Sequence, residues 1–272
     1  MPIEVGGPIV LVGAGNMGGA MLSGWLKSGV SGKSILVLDP APAEALKAKL
    51  DEAGVSHAAS APSDLKASIL FLAVKPQVME AVLPGLASLV GPETVVVSVA
   101  AGKTLAFLEK HLGEAGMVRA MPNTPAMVGR GVTGAFANSK VSDSQRAQVT
   151  DLLKVSGPVE WVERESDIDA VTAVSGSGPA YVFYLVECMA EAGRKLGLPA
   201  DLAMRLARET VSGAGELLYQ SSDEAARLRQ NVTSPGGTTA AALSVLMADD
   251  AMQPLFDKAL AAARKRAEEL GS

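Results

Sequence analysis

The 272-residue chain has one cysteine, two histidines and few aromatic side chains: two tryptophans, three tyrosines and five phenylalanines. A single thiol excludes an intrachain disulfide framework. Cys188 lies in an apolar, helix-like stretch, where a buried structural thiol is expected rather than a nucleophile. With so few thiol and imidazole ligands no cluster is spaced like a zinc site, and no metal is expected, carboxylates alone remaining as weak Mg2+ ligands. Blocks of basic residues are also missing. The net charge of -5 and pI near 5.2 argue against partnership with nucleic acid or an anionic membrane. No apolar run is long enough for a membrane span, and the start, Met1-Pro2-Ile3-Glu4-Val5, lacks the basic segment and apolar run of a signal peptide. A cytoplasmic protein acting on something small is the expectation.

What is plentiful is apolar and small: 48% hydrophobic residues and 28 glycines, enough for two domains. A short apolar strand at residues 9–12 runs into Gly13-Ala14-Gly15-Asn16-Met17-Gly18. A helix follows whose apolar face carries Met21, Leu22, Trp25 and Leu26. The second strand ends in an acid, Asp39, and Pro42 fits the first turn of the next helix. Further buried-looking strands are read at residues 69–74, 94–99 and 116–121, with a last one at 159–162. Strands alternating with helices predict a doubly wound, Rossmann-type parallel sheet over residues 1–165. Ser142-Asp143-Ser144-Gln145 reads as a capping box opening a helix to about residue 155. From residue 166 to 272 the texture is Ala/Leu-rich without strands, which predicts an all-helical domain with helices near 181–196, 199–220, 223–230, 236–247 and 250–270. Its apolar positions exceed the needs of one small bundle, so the excess is either a subunit interface or a bundle core.

A glycine turn between strand and helix, followed by an acid ending the second strand, is a strong dinucleotide-binding signal. Gly13 permits the tight turn, Gly15 lets the backbone meet a pyrophosphate, and Gly18 brings helix and sheet together. Asp39 stands where a carboxylate accepts hydrogen bonds from the adenine-side ribose, or else caps the next helix. It would repel a 2′-phosphate, and no arginine lies between it and the following helix. NADH is therefore expected to serve at least as well as NADPH. Residues 72–77, including Ala73-Val74-Lys75-Pro76, and residues 98–102, ending Ala100-Ala101-Gly102, end two other parallel strands, where ligands bind. Lys75 meets ribose or phosphate there, or is a solvated lysine. Met121-Pro122-Asn123-Thr124-Pro125 is a rigid loop expected to wall the nicotinamide pocket.

The segment Asn231-Val232-Thr233-Ser234-Pro235-Gly236-Gly237-Thr238-Thr239 has two readings, a helix-capping turn or a grip for a small anion. Dehydrogenases that reduce ketones commonly need a histidine or lysine as proton donor, and the helical half offers no obvious one. Ser175-Gly176-Ser177-Gly178-Pro179-Ala180-Tyr181 resembles the glycine-rich helix start of the β-hydroxyacid dehydrogenases, but Val182 stands where their lysine would. An imine nitrogen is basic enough to be protonated near neutral pH, so a hydroxyl donor suffices. A nicotinamide fold with an anion grip and no strong acid points to reduction of a small cyclic imino acid.

Five segments in order, Gly13-Ala14-Gly15-Asn16-Met17, Ala73-Val74-Lys75-Pro76-Gln77, Met121 to Pro125, Ser175 to Tyr181 and Val232 to Thr239, resemble the motifs of the pyrroline-5-carboxylate reductases, across nearly the whole chain. The resemblance implies NAD(P)H-dependent reduction of 1-pyrroline-5-carboxylate to L-proline, the final step of proline synthesis. It implies a helical domain that interleaves with a partner's to give a homodimer, possibly assembled into a higher oligomer of dimers, with the active site at the junction of domains and subunits. It assigns cofactor binding to Gly13, Ala14, Gly15, Asn16, Met17, Gly18, Asp39, Ser60, Ala73, Val74, Lys75, Pro76, Ala100, Ala101, Gly102 and Asn123. Substrate binding falls to Ser234, Gly236, Gly237, Thr238 and Thr239, with the carboxylate on Ser234 and on the N–H groups of Gly237, Thr238 and possibly Thr239. Thr239 is the implied catalytic residue, its hydroxyl on the ring nitrogen. Asp39 departs from the small hydroxyl residue or basic-flanked loop of many relatives, which bears on their usual NADPH preference. Two other readings fit the same architecture: a related imine or hydroxyacid reductase with another proton donor, and a nicotinamide-sensing regulator without turnover.

Overall fold

Buried apolar runs organise the first half of the chain. The computed structural model describes Ile3 and residues 5–271. Met1, Pro2 and Glu4, part of the segment read for a signal, lie outside the described residues, as does Ser272. The chain divides into two compact units, one of residues up to Gly176 together with those from Ala263 on, the other Ser177–Ala262. The division falls after Gly176 rather than at the expected 165/166, and it returns the end of the chain to the first unit.

The first unit runs β1 (Ile9–Val12), α1 (Asn16–Lys27), β2 (Ile35–Leu38), α2 (Glu44–Glu52), β3 (Ser56–Ala58), β4 (Ile69–Leu72), α3 (Met79–Val82), β5 (Val95–Ser98), α4 (Leu105–Leu112), β6 (Gly116–Met121), β7 (Thr133–Ala137), α5 (Asp143–Leu153), β8 (Val159–Trp161) and α6 (Asp167–Val171). β1, β4 and β5 are buried along their whole length, the signature of strands covered on both faces. The sheet order is β3-β2-β1-β4-β5-β6-β7-β8. Pairings from β3 to β6 are parallel, with Val10 facing Leu36 on one side and Leu70 on the other, whereas β7 runs antiparallel to β6 and carries β8 parallel to itself. This is the doubly wound, Rossmann-type order, with its switch between β1 and β4. The wholly parallel sheet expected from the sequence thus ends in a reversed pair. β3 and β7, unpredicted, are short or built of small residues. Pro42 precedes α2 rather than opening it: Ala43 is the N-cap residue.

Each face of the sheet has a core. On one, Met21, Leu22 and Trp25 of α1 pack with Val149, Leu152 and Leu153 of α5. Trp25 meets Phe71 edge-on at 5.1 Å and donates its indole N–H to the Leu152 carbonyl at 2.8 Å, so a buried polar atom is satisfied. On the other, Met79, Leu83 and Leu89 pack with Leu105, Leu108 and Leu112 of α4. Ser142 and Gln145 form the expected capping box on α5. Arg119 of β6, 3% exposed, pairs with Asp169 of α6 at 2.7 Å and with Glu165 at 3.6 Å. Glu165 also accepts the Leu105 N–H at 2.7 Å, so one charged cluster joins β6, α6 and the start of α4.

The second unit holds α7 (Gly178–Lys195), α8 (Ala200–Gln220), α9 (Ala225–Asn231), α10 (Thr238–Leu246) and the first part of α11 (Met252–Gly271), within which the division falls. All five expected helices are present to within a few residues. The buried residues of this unit are Ala190, Ala203 and Ala207, among its described residues, so nothing larger than a methyl group is enclosed. Phe183, Tyr184, Leu217, Leu218 and Met247 are all exposed, and Val245 is 70% exposed. Of the two readings of the apolar excess, a bundle core within one chain is excluded and a subunit interface remains. Cys188 is exposed in the single chain, contrary to the expectation of a buried thiol. It lies on α7, whose apolar residues the chain's own helices leave uncovered.

Such faces are stabilised by association, so the melting temperature of the helical unit is expected to rise by about 5 °C or more over a hundredfold increase in protein concentration. Circular dichroism melts checked by light scattering measure this; a concentration-independent melt of a monomer would contradict it.

Candidate functional site

The carboxyl ends of β1 to β6 lie on one edge of the sheet, and the loops that follow them carry all the expected cofactor residues. Gly13 has φ +85°, a left-handed conformation that glycine adopts without strain. A Cβ on Gly18 would lie 2.1 Å from the Gly13 carbonyl oxygen, so α1 docks on the turn through bare backbone. A Cβ on Gly15, the N-cap residue of α1, would meet nothing within 4 Å. Among the described residues no side chain reaches this space, and none caps the helix. The first N–H groups of α1 and its positive dipole end thus face a cradle that suits a pyrophosphate. The residues fit a dinucleotide.

Asp39, directly after β2, accepts a hydrogen bond from the Ala14 N–H at 3.1 Å through one carboxylate oxygen and from the Ala41 N–H at 3.0 Å through the other. It therefore locks the glycine turn as well as starting the next loop, and each oxygen keeps capacity for a ribose hydroxyl. The nearest following base, Lys47, is paired with Glu44 at 2.9 Å. Ser60 lies beyond β3 and Lys75 at the N-cap of a 3-10 turn after β4, both exposed. Ala73, Val74, Pro76, Ala100, Ala101 and Gly102 follow β4 and β5. Asn123 follows β6, but its carboxamide is engaged inside the fold: it donates to the Ser175 carbonyl at 3.1 Å and accepts the Val132 N–H at 3.0 Å. Sequence reading missed these partners, because one lies at the far end of the loop and the other 52 residues away. A separate cavity of about 700 Å³ opens beside α1, lined by Ser23, Lys27, Leu46, Lys49 and Met127 among others. It flanks α1 and α2 rather than the strand ends, and it shares only Asn16 with the expected cofactor residues.

In the helical unit Ser234 to Gly237 form a tight turn, with the Gly237 N–H donating to the Ser234 carbonyl at 3.0 Å. Pro235 and Gly236 hold its central positions, and Gly236, at φ +69°, takes the left-handed place such a turn requires. The Gly237 N–H is therefore used by the turn and is withdrawn from the groups expected to hold a carboxylate. Those of Thr238 and Thr239 have no backbone partner among the described residues: the first bond into the helix runs from Ala241 to the Gly237 carbonyl. A Cβ on Gly237 would lie 2.6 Å from the Ser234 hydroxyl oxygen, so only glycine allows this hydroxyl to sit beside the start of α10. The segment is a turn into α10 that leaves the Thr238 and Thr239 N–H groups and the Ser234 hydroxyl together at the helix start, the donors an anion would require. No side chain caps α10, and Thr239, half-buried, is its second residue.

Among the described residues no group of three or more His, Cys, Asp or Glu side chains is placed to hold a metal ion, and no helix is long and apolar enough to cross a membrane.

The family model described as pyrroline-5-carboxylate reductase dimerisation matches residues 165–270, and one described as NADP oxidoreductase, coenzyme F420-dependent, matches residues 8–102. The chain is 42% identical over 263 residues to the pyrroline-5-carboxylate reductase of Pseudomonas aeruginosa, covering 96% of each. A pyrroline-5-carboxylate reductase structure from Coxiella burnetii is similar over 98% of this chain and 99% of that one, with TM-score 0.90 and 37% identity. The Plasmodium falciparum pyrroline carboxylate reductase, solved with NADP bound, is similar over 98% and 99%, with TM-score 0.80 and 27% identity.

The two glycines separate folding from binding. Gly18→Ala is expected to cost about 3 kcal/mol or more of stability, because a methyl group cannot share space with a backbone oxygen. Gly15→Ala is expected to fold normally yet weaken NADH binding by roughly tenfold or more, since its methyl enters the open cradle. Calorimetric unfolding and titration of both variants check this, and equal effects on stability would refute it.

Proposed function

The chain belongs to the pyrroline-5-carboxylate reductase family, and from that footing we propose which of its residues carry the reaction. It is an oxidoreductase that uses NAD(P)H to reduce 1-pyrroline-5-carboxylate to L-proline, the last step of proline biosynthesis. Reduced nicotinamide, once bound, supplies a hydride to the carbon of the C=N bond.

The observation that carries the residue assignment is the turn into α10, where the Ser234 hydroxyl and unfilled backbone N–H groups share one helix start. We assign the substrate carboxylate to Ser234 and to the N–H groups of Thr238 and Thr239. Gly236 and Gly237 build the turn that presents them. A carboxylate there replaces water on groups that the fold leaves without partners, and it meets the positive end of the helix dipole. The Thr239 hydroxyl takes the ring nitrogen, donating its hydrogen bond as the amine forms. No stronger acid is needed, because a protonated imine carries its own positive charge to the attacked carbon.

For the cofactor, Gly13 to Gly18 hold the pyrophosphate, and Asp39 takes the adenine-side ribose hydroxyls. Ser60, residues 73–76 and residues 100–102 line the rest of the strand ends. Asp39 is fixed in place by two backbone N–H groups, and the loop beyond it has no unpaired base before Lys47, which is held by Glu44. A 2′-phosphate finds a fixed negative charge there and no counter-charge. The chain forms a homo-oligomer. We place its dimer contact on the uncovered apolar residues of α7, α8 and α10, with further association of dimers as the larger form, and the cytoplasm as its compartment.

Thr239→Ala is expected to lower kcat/KM for 1-pyrroline-5-carboxylate by roughly 10- to 1000-fold, the range for loss of one positioned donor. A near wild-type rate in steady-state assays would remove Thr239 from the mechanism. For the wild-type chain, kcat/KM with NADH is expected to equal or exceed that with NADPH. A strong preference for NADPH in parallel assays would overturn the role given to Asp39.

A further inference from the structure

The turn from the sheet into the helical unit is not a regular helix. After α6 the chain forms a π-helical segment, Thr172–Gly176, before α7 begins at Gly178. Two hydroxyls bond back within it, Thr172 to the Ile168 carbonyl at 2.7 Å and Ser175 to the Val171 carbonyl at 3.0 Å. The carbonyl of Ser175 has lost its normal partner for a simple covalent reason. The residue four positions on is Pro179, which has no N–H to donate. The next amide, Ala180, donates to the Ser177 carbonyl instead. The Asn123 side chain, 52 residues away in sequence, donates to the Ser175 carbonyl at 3.1 Å.

The other end of the same carboxamide accepts the Val132 N–H at 3.0 Å, closing the loop between β6 and β7. Close packing accompanies the junction: a Cβ on Gly176 would lie 2.6 Å from the Met121 methyl carbon, so the segment sits directly against the side chain that ends β6. The asparagine carboxamide carries its donor and its acceptor on separate atoms, so it serves the two partners at once. Aspartate keeps the acceptor, loses the donor, and sets a carboxylate against a carbonyl.

We propose that Asn123 is a positioning residue for the reaction: its carboxamide pins the π-helical segment to the end of β6, and it acts on catalysis through that segment rather than by touching the dinucleotide. This rests on the reading that the cofactor lies along the strand ends. β6 ends on that edge, and the Asn123 carboxamide joins the loop that follows it to Thr172–Gly176 within the same unit. The bond to Ser175 thus fixes the backbone at the point where the chain leaves the cofactor unit. Hydride transfer is steep in donor–acceptor geometry, so a small displacement of the loop that ends β6, beside the strand ends where the nicotinamide is read to lie, costs rate while cofactor affinity is kept.

The test compares Asn123→Asp and Asn123→Ala with wild type, the alanine removing both bonds without adding a charge. kcat and KM for 1-pyrroline-5-carboxylate, the Kd of NADH by titration calorimetry, and the melting temperature are measured on each full-length chain. Expected is a kcat lower by roughly 10- to 100-fold for both variants, with the NADH Kd within about twofold of wild type and the melting temperature lowered by only a few degrees. A kcat close to wild type in either folded variant overturns the proposal. A tenfold weaker NADH Kd with kcat at saturating NADH retained also overturns it, by making Asn123 a cofactor contact. Gly15→Ala run alongside tests the underlying reading separately: normal NADH binding by that variant removes the cofactor from the strand ends, whatever the Asn123 variants do.

Discussion

α1 rests on the turn that precedes it with no room for a methyl group between them. The distance from a Gly18 Cβ to the Gly13 carbonyl oxygen would be 2.1 Å, and a Cβ on Gly13 would itself lie 2.7 Å from Val74. This bare-backbone contact sets how α1 leaves the sheet. Because it leaves at that angle, Met21 and Trp25 drop into the core against α5, and no side chain caps the N–H groups of its first turn. Asp39 then ties Ala14 to the end of β2, so the turn is held from two neighbouring strands. Core packing and the anion cradle are therefore two results of one steric fact.

The two units solve the burial problem in different ways. In the first, both faces of the sheet are sealed by helices and the largest side chains are enclosed. In the second, the helices enclose only alanines and leave aromatic and aliphatic side chains outside. At about 25 cal/mol per Å² of apolar area removed from water, covering several such side chains is worth many kcal/mol. That gain is open to the helical unit only through association, so its order and its partner come together. The turn from Ser234 to Gly237 belongs to this unit, which links its integrity to assembly.

Much of this could be read in the residues, and the failures have physical causes. The conformation of the glycine turn and the place of Asp39 at the end of β2 were legible because they depend on local backbone geometry and fixed order along the chain. The helices of the second unit were legible from composition and breakers, within a few residues at each end. β7 was not, since Thr133 to Ala137 is built largely of small residues and its burial comes from β6 and β8 rather than from its own pattern. Cys188 was misjudged because an apolar helix predicts a covered face without saying which chain covers it. The loss of the Gly237 N–H to its own turn was within reach of the residues, since Pro235-Gly236 is the central pair of such a turn, but the segment was read for its donors and not for its own closing bond. The ion pairs of Arg119 and the reach of Asn123 span about fifty residues, a range over which sequence pattern carries no pairing signal.

The chain's aromatic residues are also sorted by unit. Both tryptophans, Trp25 and Trp161, belong to the sheet unit, and all three tyrosines, Tyr181, Tyr184 and Tyr219, to the helical one. Trp25 is fully buried, with its indole N–H on a backbone carbonyl. Its emission reports the cofactor unit alone, while tyrosine absorbance and its environment-sensitive fine structure report the helices. The protein thus carries a built-in two-colour optical record in which loosening of the assembly and melting of the sheet register in different bands, without any label.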